Sequence, residues 1–133
     1  MRRLKTLRVL IAIFGLCALP VSFAETLSVA SLENTVLATQ IIYGTAPVIV
    51  DVRTPEEFSE GHVPGALNIP FGEIANRRDE LGIEPDGMLV VYCRSGKRAG
   101  IAQQALAELG YTGLVDLDGH WLDWSAKALP VQP

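Results

Sequence analysis

Apolar runs and amphipathic stretches alternate along most of the chain. Residues 47–52 and 88–92 are short and rich in β-branched side chains, which is typical of strands buried on both faces. Residues 114–117 predict a further strand. Apolar positions at near-helical spacing predict a helix over residues 27–40, and residues 121–128 predict a short last helix. Residues 97–109 are rich in Ala, Gln and Leu and are followed by Gly110, so they also predict a helix.

The segment between the first two strands carries turn and capping signals. Thr54 suits the cap of a helix, Pro55 its first position, and Glu57 the end of a capping box, with Gly61 closing the turn. Residues 66–69 predict a short strand and residues 71–81 another helix. Strands alternating with helices in this way predict an α/β fold, in which a central parallel sheet is covered by helices on both faces.

The first 24 residues have the features of a cleavable secretory signal. Four basic residues lie within residues 1–8, residues 9–19 are apolar, and Ser22 and Ala24 are small residues that fit a signal-peptidase site. The apolar run is short for a membrane span, which disfavours the alternative of an uncleaved anchor, and bulky Leu16 disfavours a lipid anchor on Cys17. We therefore expect cleavage after Ala24, a single mature domain over residues 25–133, and a periplasmic location.

The mature chain that this cleavage predicts is acidic. Four of the eleven Lys and Arg leave with the signal, so seven remain against fifteen Asp and Glu. Nucleic acids and anionic membranes require basic patches, so neither is an expected partner, and we expect a monomer. Cys17 also leaves, and Cys93 is then the only cysteine, which cannot form a disulfide within its own chain.

The segment after the strand at residues 88–92 concentrates chemically active groups. Cys93 ends that strand, and Arg94, Gly96, Lys97 and Arg98 follow it. Ligands bind at the carboxyl ends of strands in open parallel sheets. Converging backbone N–H groups, a helix N-terminus and nearby cations all favour the thiolate form of a cysteine. We therefore predict that Cys93 is a nucleophile in a loop that also binds an anion, with a buried, inert cysteine as the alternative.

The length of this loop separates two chemistries. Tyrosine phosphatases place five residues between the cysteine and the arginine of a loop that wraps a phosphate. Here four residues separate Cys93 from Arg98, and the position that a phosphatase would require holds Ala99. The smaller ring suits a sulfur atom attached to the cysteine better than a phosphoryl group.

These motifs together resemble those of the single-domain rhodaneses, which are thiosulfate sulfurtransferases. The loop CRSGKR at residues 93–98 fits the six-residue loop of that family. The stretch VIVDVRTPEEFSEGHVPGALNIP at residues 48–70 and the stretch LDGHWLDW at residues 117–124 fit its upstream and downstream signatures. The exported one-domain form is most similar to periplasmic rhodaneses of the phage-shock type.

The resemblance implies a rhodanese-like three-layer fold and a two-step reaction. The Cys93 thiolate would attack the outer sulfur of thiosulfate, release sulfite and hold a persulfide, from which cyanide or a thiol acceptor takes the sulfur. No metal and no organic cofactor are implied. The substrate-binding residues carried over from the family loop are Arg94, Ser95, Gly96, Lys97 and Arg98.

Several other polar residues have a structural interpretation beside a functional one. Asp51 and Arg53 either assist the site or fix the loop by ion pairing, and we expect the second role. His62 is expected to be a buried hydrogen-bonding residue rather than a catalytic base. His120 stands where the family commonly has a second glycine, and it either lines the pocket or is an exposed imidazole on a surface turn, of which we expect the second.

The remaining aromatic and acidic residues are expected to be structural. Trp121 and Trp124 are predicted to lie in the core or in the pocket wall. Glu56, Glu57 and Glu60 are predicted to form a solvated helix face rather than a metal site, because no soft ligand accompanies them.

Two other functions share parts of this pattern. A low-turnover sulfane-sulfur carrier or sensor of the same fold would use the same loop. A phosphatase or arsenate reductase is disfavoured, because the loop is one residue short and the predicted mature chain has no second cysteine for a thiol relay.

Overall fold

The computed structural model describes residues 27–133, which form five strands and four α-helices. The strands are β1 (Ala30–Leu32), β2 (Val48–Asp51), β3 (Leu67–Asn68), β4 (Leu89–Tyr92) and β5 (Leu114–Leu117). The helices are α1 (Asn34–Ile42), α2 (Pro55–Glu60), α3 (Lys97–Glu108) and α4 (His120–Ala126), with a 3-10 helix at Arg78–Leu81. The predicted signal at residues 1–24 lies outside the described residues and stays a prediction.

All five strands lie in one sheet in the order β1-β5-β4-β2-β3, and every described strand pair is parallel. From β2 the chain continues outward to β3 on one side, and from β4 it continues to β5 on the other. The carboxyl ends of the neighbouring strands β2 and β4 therefore form the switch point at which α/β sheets bind ligands. Cys93 directly follows β4 at this point.

Helices cover both faces of the sheet, as the sequence predicts. Neighbouring residues of β4 point to opposite faces, since side chains alternate along a strand. Val91 packs in a cluster with Leu106 of α3, and Val90 packs in a second cluster with Leu37 of α1 and Trp124 of α4. The predicted three-layer arrangement is confirmed.

The capping box predicted at the start of α2 is confirmed. The hydroxyl of Thr54 accepts the backbone N–H of Glu57 at 3.2 Å, and the Glu57 carboxylate accepts the backbone N–H of Thr54 at 3.0 Å. Pro55 occupies the first turn, and Gly61 follows the helix with a φ of 149°. The box fixes where α2 begins, directly after the switch point.

The helix predicted over residues 27–40 is wrong in its first part. Ala30–Leu32 form the edge strand β1, which pairs with β5 in parallel, and the helix starts only at Asn34. Pairing with an open sheet edge outweighs a near-helical spacing of apolar residues, because strand formation depends on context more than helix formation does.

The helix predicted over residues 71–81 is also wrong. The backbone N–H of Phe71 donates to the Val52 carbonyl at 3.0 Å, and that of Glu73 donates to the Pro70 carbonyl at 2.8 Å. These bonds tie the start of the segment to the end of β2 and to a turn, so only the 3-10 helix at Arg78–Leu81 forms, and Gly82 ends it with a φ of 64°. No helix within residues 27–133 has the length and apolar character that crossing a membrane requires.

Candidate active site

Cys93 lies at the centre of the switch point with its sulfur inside a tight loop. The residue is 1% exposed, and its Sγ accepts the backbone N–H of Gly96 at 3.0 Å. Gly96 has a φ of 116°, a backbone conformation that favours glycine, and it directly precedes Lys97, the first residue of α3. The loop thus directs a backbone N–H and the positive end of a twelve-residue helix at the sulfur.

The first turn of α4 holds the start of the loop from the opposite side. The backbone N–H of Trp121 donates to the Cys93 carbonyl and that of Leu122 donates to the Arg94 carbonyl, each at 3.1 Å. Carbonyls 93 and 94 are therefore turned toward α4. Both ends of the loop are tied to helices, so the sulfur sits in a fixed setting.

The loop residues predicted to bind substrate divide into two groups. Arg94, Ser95 and Lys97 are exposed, and Gly96 is half-buried. Arg98 instead turns toward α2, where its guanidinium forms two hydrogen bonds with the Glu57 carboxylate at 2.7 and 2.9 Å. Its side-chain charge is therefore matched, while Arg94 and Lys97 present theirs to solvent.

Glu57 is not the solvated residue that the sequence suggests. Its side chain is 29% exposed and that of Arg98 is 26% exposed. The hydrogen bonds from Arg98, with a smaller contribution from the backbone of Thr54, outweigh burial and lower the pKa of Glu57 from 4.5 to about 2. One carboxylate thus caps α2 and also anchors the first turn of α3.

Replacing Glu57 with Gln tests this anchor through pH. The depressed pKa contributes stability that is complete above about 4.5 and is lost as the pH falls toward about 2. We expect Glu57→Gln to unfold at lower urea than the wild type at neutral pH, with the difference shrinking across that acidic range. Salt should weaken the effect, because the pair is partly exposed.

The matched control is Glu56→Gln, which removes the same charge from an exposed position on the same turn. It should shift the urea midpoint by a smaller amount. A difference between wild type and Glu57→Gln that stays constant down to the lowest pH would contradict the ion pair.

Asp51 and Arg53 form the buried ion pair that the sequence favours over a direct role in the site. The Arg53 guanidinium donates to Asp51 at 2.6 Å and to the Gly61 carbonyl at 2.8 Å. The Tyr92 hydroxyl donates to Asp51 at 2.7 Å and accepts the backbone N–H of Val63 at 3.1 Å. Burial, with the charge of Asp51, raises the pKa of Tyr92. Because Tyr92 directly precedes Cys93, this network fixes the end of β4.

His62 is a buried hydrogen-bonding residue, as expected. Its Nδ1 donates to the Phe58 carbonyl at 2.9 Å, and its ring stacks on that of Phe58 with centroids 3.5 Å apart. Its backbone pairs with Gln132 through two hydrogen bonds of 2.9 Å. These contacts hold the chain after α2 against the C-terminal segment.

A depression of about 230 Å³ lies beside the loop. Trp121 forms part of its wall and also lies under the Arg53 guanidinium, 4.6 Å from the ring centroid, while Trp124 is fully buried in the core. The two tryptophans thus occupy the two predicted settings, one each. The depression is lined by Arg53, Glu57, Glu60, Gly61, Arg94 and Trp121.

His120 is buried, which excludes the exposed imidazole. It is 5% exposed, its Nδ1 accepts the backbone N–H of Cys93 at 3.3 Å, and its Nε2 lies 3.4 Å from the Asp116 carboxylate. Asp116, on β5, accepts a further hydrogen bond from Gln103 of α3 at 2.6 Å. Neither Asp116 nor Gln103 falls in a motif, so no local pattern links them to the site. Their position in neighbouring elements is the only signal.

The arrangement can stabilise an anionic sulfur and attract an anion to it. A thiolate at Cys93 would accept an N–H at a helix N-terminus, with the exposed cations of Arg94 and Lys97 in the same loop. Within residues 27–133, His, Cys, Asp and Glu side chains form no group of three that could hold a metal ion. The chemistry that the loop supports is nucleophilic attack by sulfur.

Comparisons with known proteins agree on the kind of domain. The profile of the Rhodanese-like domain family matches residues 35–127. The chain is 37% identical over 70 residues to the thiosulfate sulfurtransferase PspE of Escherichia coli, covering 53% of this chain and 67% of that protein. It is 37% identical over 84 residues to a sulfurtransferase of Allochromatium vinosum, covering 63% of this chain and 77% of the relative.

A solved structure of a human single-domain sulfurtransferase superposes with a TM-score of 0.64 at 28% identity, over 75% of this chain and 98% of the human one. Other relatives are longer than the matched region. The match spans 64% of a mitochondrial protein of Schizosaccharomyces pombe and 37% of a protein of Haloferax volcanii.

Proposed function

The chain belongs to the rhodanese-like domain family, and from that premise we propose that it is a sulfurtransferase that moves the sulfane sulfur of thiosulfate through a persulfide on Cys93. The observation that carries the proposal is the hydrogen bond from the Gly96 N–H to the Cys93 Sγ at 3.0 Å, at the N-terminus of α3. Relatives named as sulfurtransferases support the same reaction class.

The reaction divides into two displacements at sulfur. The Cys93 thiolate attacks the outer sulfur of thiosulfate, a new S–S bond forms, and the old S–S bond breaks with its electron pair leaving on sulfite. A thiol acceptor or cyanide then attacks the terminal sulfur of the persulfide, which restores the thiolate. The steps balance without an external oxidant or reductant, and no metal or organic cofactor takes part.

The loop supplies binding and charge for both steps. The exposed cations of Arg94 and Lys97 attract the dianionic donor, and the backbone N–H of Gly96 stabilises negative charge on the Cys93 sulfur. The Arg98 side chain is held by Glu57, so Arg98 contributes through its place in the first turn of α3. The depression beside the loop gives the acceptor a place to approach.

We also propose that the protein is exported to the periplasm and acts on small sulfur compounds. The N-terminal basic and apolar segment supports export to the periplasm with cleavage after Ala24, and N-terminal sequencing of the exported chain tests this. The acidic mature chain disfavours nucleic acid and a membrane surface as partners, and the exposed Arg94 and Lys97 beside Cys93 favour a small anionic sulfur donor. We also propose that the protein is a monomer, which size-exclusion chromatography with light scattering tests.

One observation favours a second candidate, a low-turnover sulfane-sulfur carrier or sensor. Cys93 is only 1% exposed, which would slow the approach of a bulky acceptor to its sulfur. Such a protein would form the persulfide and pass its terminal sulfur to an acceptor slowly.

Steady-state kinetics separate the two candidates. For the sulfurtransferase, varying thiosulfate at several fixed cyanide concentrations should give parallel double-reciprocal lines, because the two substrates react with different forms of the enzyme. Thiocyanate should appear over many turnovers. A single burst equal to the enzyme concentration would favour the carrier, and intersecting lines would reject the covalent route.

A further inference from the structure

His120 occupies an unusual backbone position for its residue type. It begins α4 with a φ of 52°, in the left-handed region that favours glycine, and the preceding Gly119 has a φ of 66°. Holding a histidine in this backbone conformation, with its side chain only 5% exposed, costs conformational free energy that other contacts must offset. The contacts of its imidazole ring supply that compensation.

The neighbours of the two ring nitrogens indicate which tautomer the ring adopts. The backbone N–H of Cys93 donates to Nδ1 at 3.3 Å, so Nδ1 carries a lone pair. Nε2 lies 3.4 Å from Oδ2 of Asp116 and therefore carries the proton. Gln103 donates to the other oxygen of Asp116 at 2.6 Å, and the hydrogen bonds from His120 and Gln103 outweigh burial to lower the pKa of Asp116. Gln103 of α3 thus holds Asp116 of β5, and Asp116 in turn orients the His120 ring.

The same ring also lies close to Gly96, further along the loop that carries Cys93. A Cβ atom added to Gly96 would lie 3.0 Å from Nε2 and 3.2 Å from Cδ2 of His120. Gly96 is the residue whose N–H reaches the Cys93 sulfur. One imidazole therefore accepts a hydrogen bond from the residue that carries the sulfur and lies beside the residue that donates to it.

We propose that His120 is a positioning residue for the nucleophile, which as a neutral imidazole oriented by Asp116 accepts the backbone N–H of Cys93 and packs beside Gly96, whose N–H donates to the sulfur. The inference rests on the proposed function only in taking Cys93 as the nucleophile. His120 does not act as a base, because both of its nitrogens are already engaged away from the sulfur. Because the backbone N–H of Cys93 donates to Nδ1, it does not donate to the sulfur of the same residue. That sulfur accepts the N–H of Gly96.

Two variants separate the two nitrogens. In His120→Asn, the side-chain oxygen takes the place of Nδ1, and Asn tolerates a left-handed backbone better than most residues. In His120→Gln, the terminal amide reaches the place of Nε2 and leaves the Cys93 N–H without its acceptor. His120→Gly relieves the backbone and removes both contacts.

The readout is the rate of persulfide formation after mixing with thiosulfate, followed by quenching and mass spectrometry and expressed per folded molecule from urea curves. We expect His120→Asn to remain within about threefold of the wild type, and His120→Gln and His120→Gly to fall about tenfold, the scale expected when a buried N–H loses its acceptor. A Gln variant as fast as the Asn variant, or a Gly variant as fast as the wild type, would overturn the proposal.

A measurement on the unaltered protein tests the hydrogen bond itself. In ¹⁵N NMR of the histidine side chains, His120 should show a protonated Nε2 and an unprotonated Nδ1 at neutral pH. A proton on Nδ1 would refute the positioning role. If the wild type takes no sulfur from thiosulfate, the proposed function fails, and this spectrum still decides the role of His120.

Discussion

Cys93→Ser should lose sulfur transfer by at least about 1,000-fold, the scale seen when a covalent nucleophile is removed. A serine hydroxyl is close in size to the thiol and can still accept the Gly96 N–H, so the loop is expected to keep its geometry. It cannot form a persulfide, and it stays protonated at neutral pH. The measurement is thiocyanate formation from thiosulfate and cyanide, at equal concentrations of wild type and variant.

Cys93 is buried, so a serine there places a polar hydroxyl at the edge of the core and could lower stability. The urea midpoint of the variant checks that it is folded. A folded Cys93→Ser protein that retains more than about 1% of the wild-type rate would show that the sulfur is transferred elsewhere, since a lost nucleophile leaves far less activity.

Gly96→Ala should have the second largest effect. Gly96 has a φ of 116°, and the added Cβ would meet the His120 ring at 3.0 Å. Relieving this strain requires the peptide that donates to the Cys93 sulfur to move. We expect the free energy of unfolding to fall by about 1–3 kcal/mol and sulfur transfer to fall about 10- to 100-fold. Urea denaturation and the thiosulfate assay measure the two effects.

Gly100→Ala is the matched control for this substitution. Gly100 lies four residues further on, inside α3, and a Cβ added there meets nothing within 4 Å. Alanine is favoured over glycine within a helix by about 0.5–1 kcal/mol, so this variant should gain stability and keep its activity. Equal losses in the two variants would mean that the loop conformation is not the cause.

The central strands β2 and β4 and the active loop could be predicted because they depend on local patterns. The β-branched run before Asp51 and the apolar run before Cys93 form strands at a buried sheet centre, where sequence composition and burial agree. Thr54 and Glu57 form their capping box within four residues of chain. The position of Cys93 at the end of β4 follows from the same reasoning.

The elements that depend on distant parts of the chain could not be predicted. Ala30–Leu32 become a strand only because β5, more than eighty residues later, offers an edge. Arg98 is separated by 41 positions from Glu57, so their ion pair has no local signal. His120 is the extreme case, since its role depends on Asp116, on the Cys93 backbone and on a positive φ together. The sequence shows that a histidine replaces the usual glycine, and it does not show which residues the histidine contacts.

Intact mass spectrometry of the protein after incubation with thiosulfate tests the central claim most directly. The wild type should gain the mass of one sulfur atom, cyanide should remove it with release of thiocyanate, and Cys93→Ser should gain nothing. A wild-type mass that stays unchanged, or an added mass that cyanide cannot remove, would contradict a persulfide on Cys93.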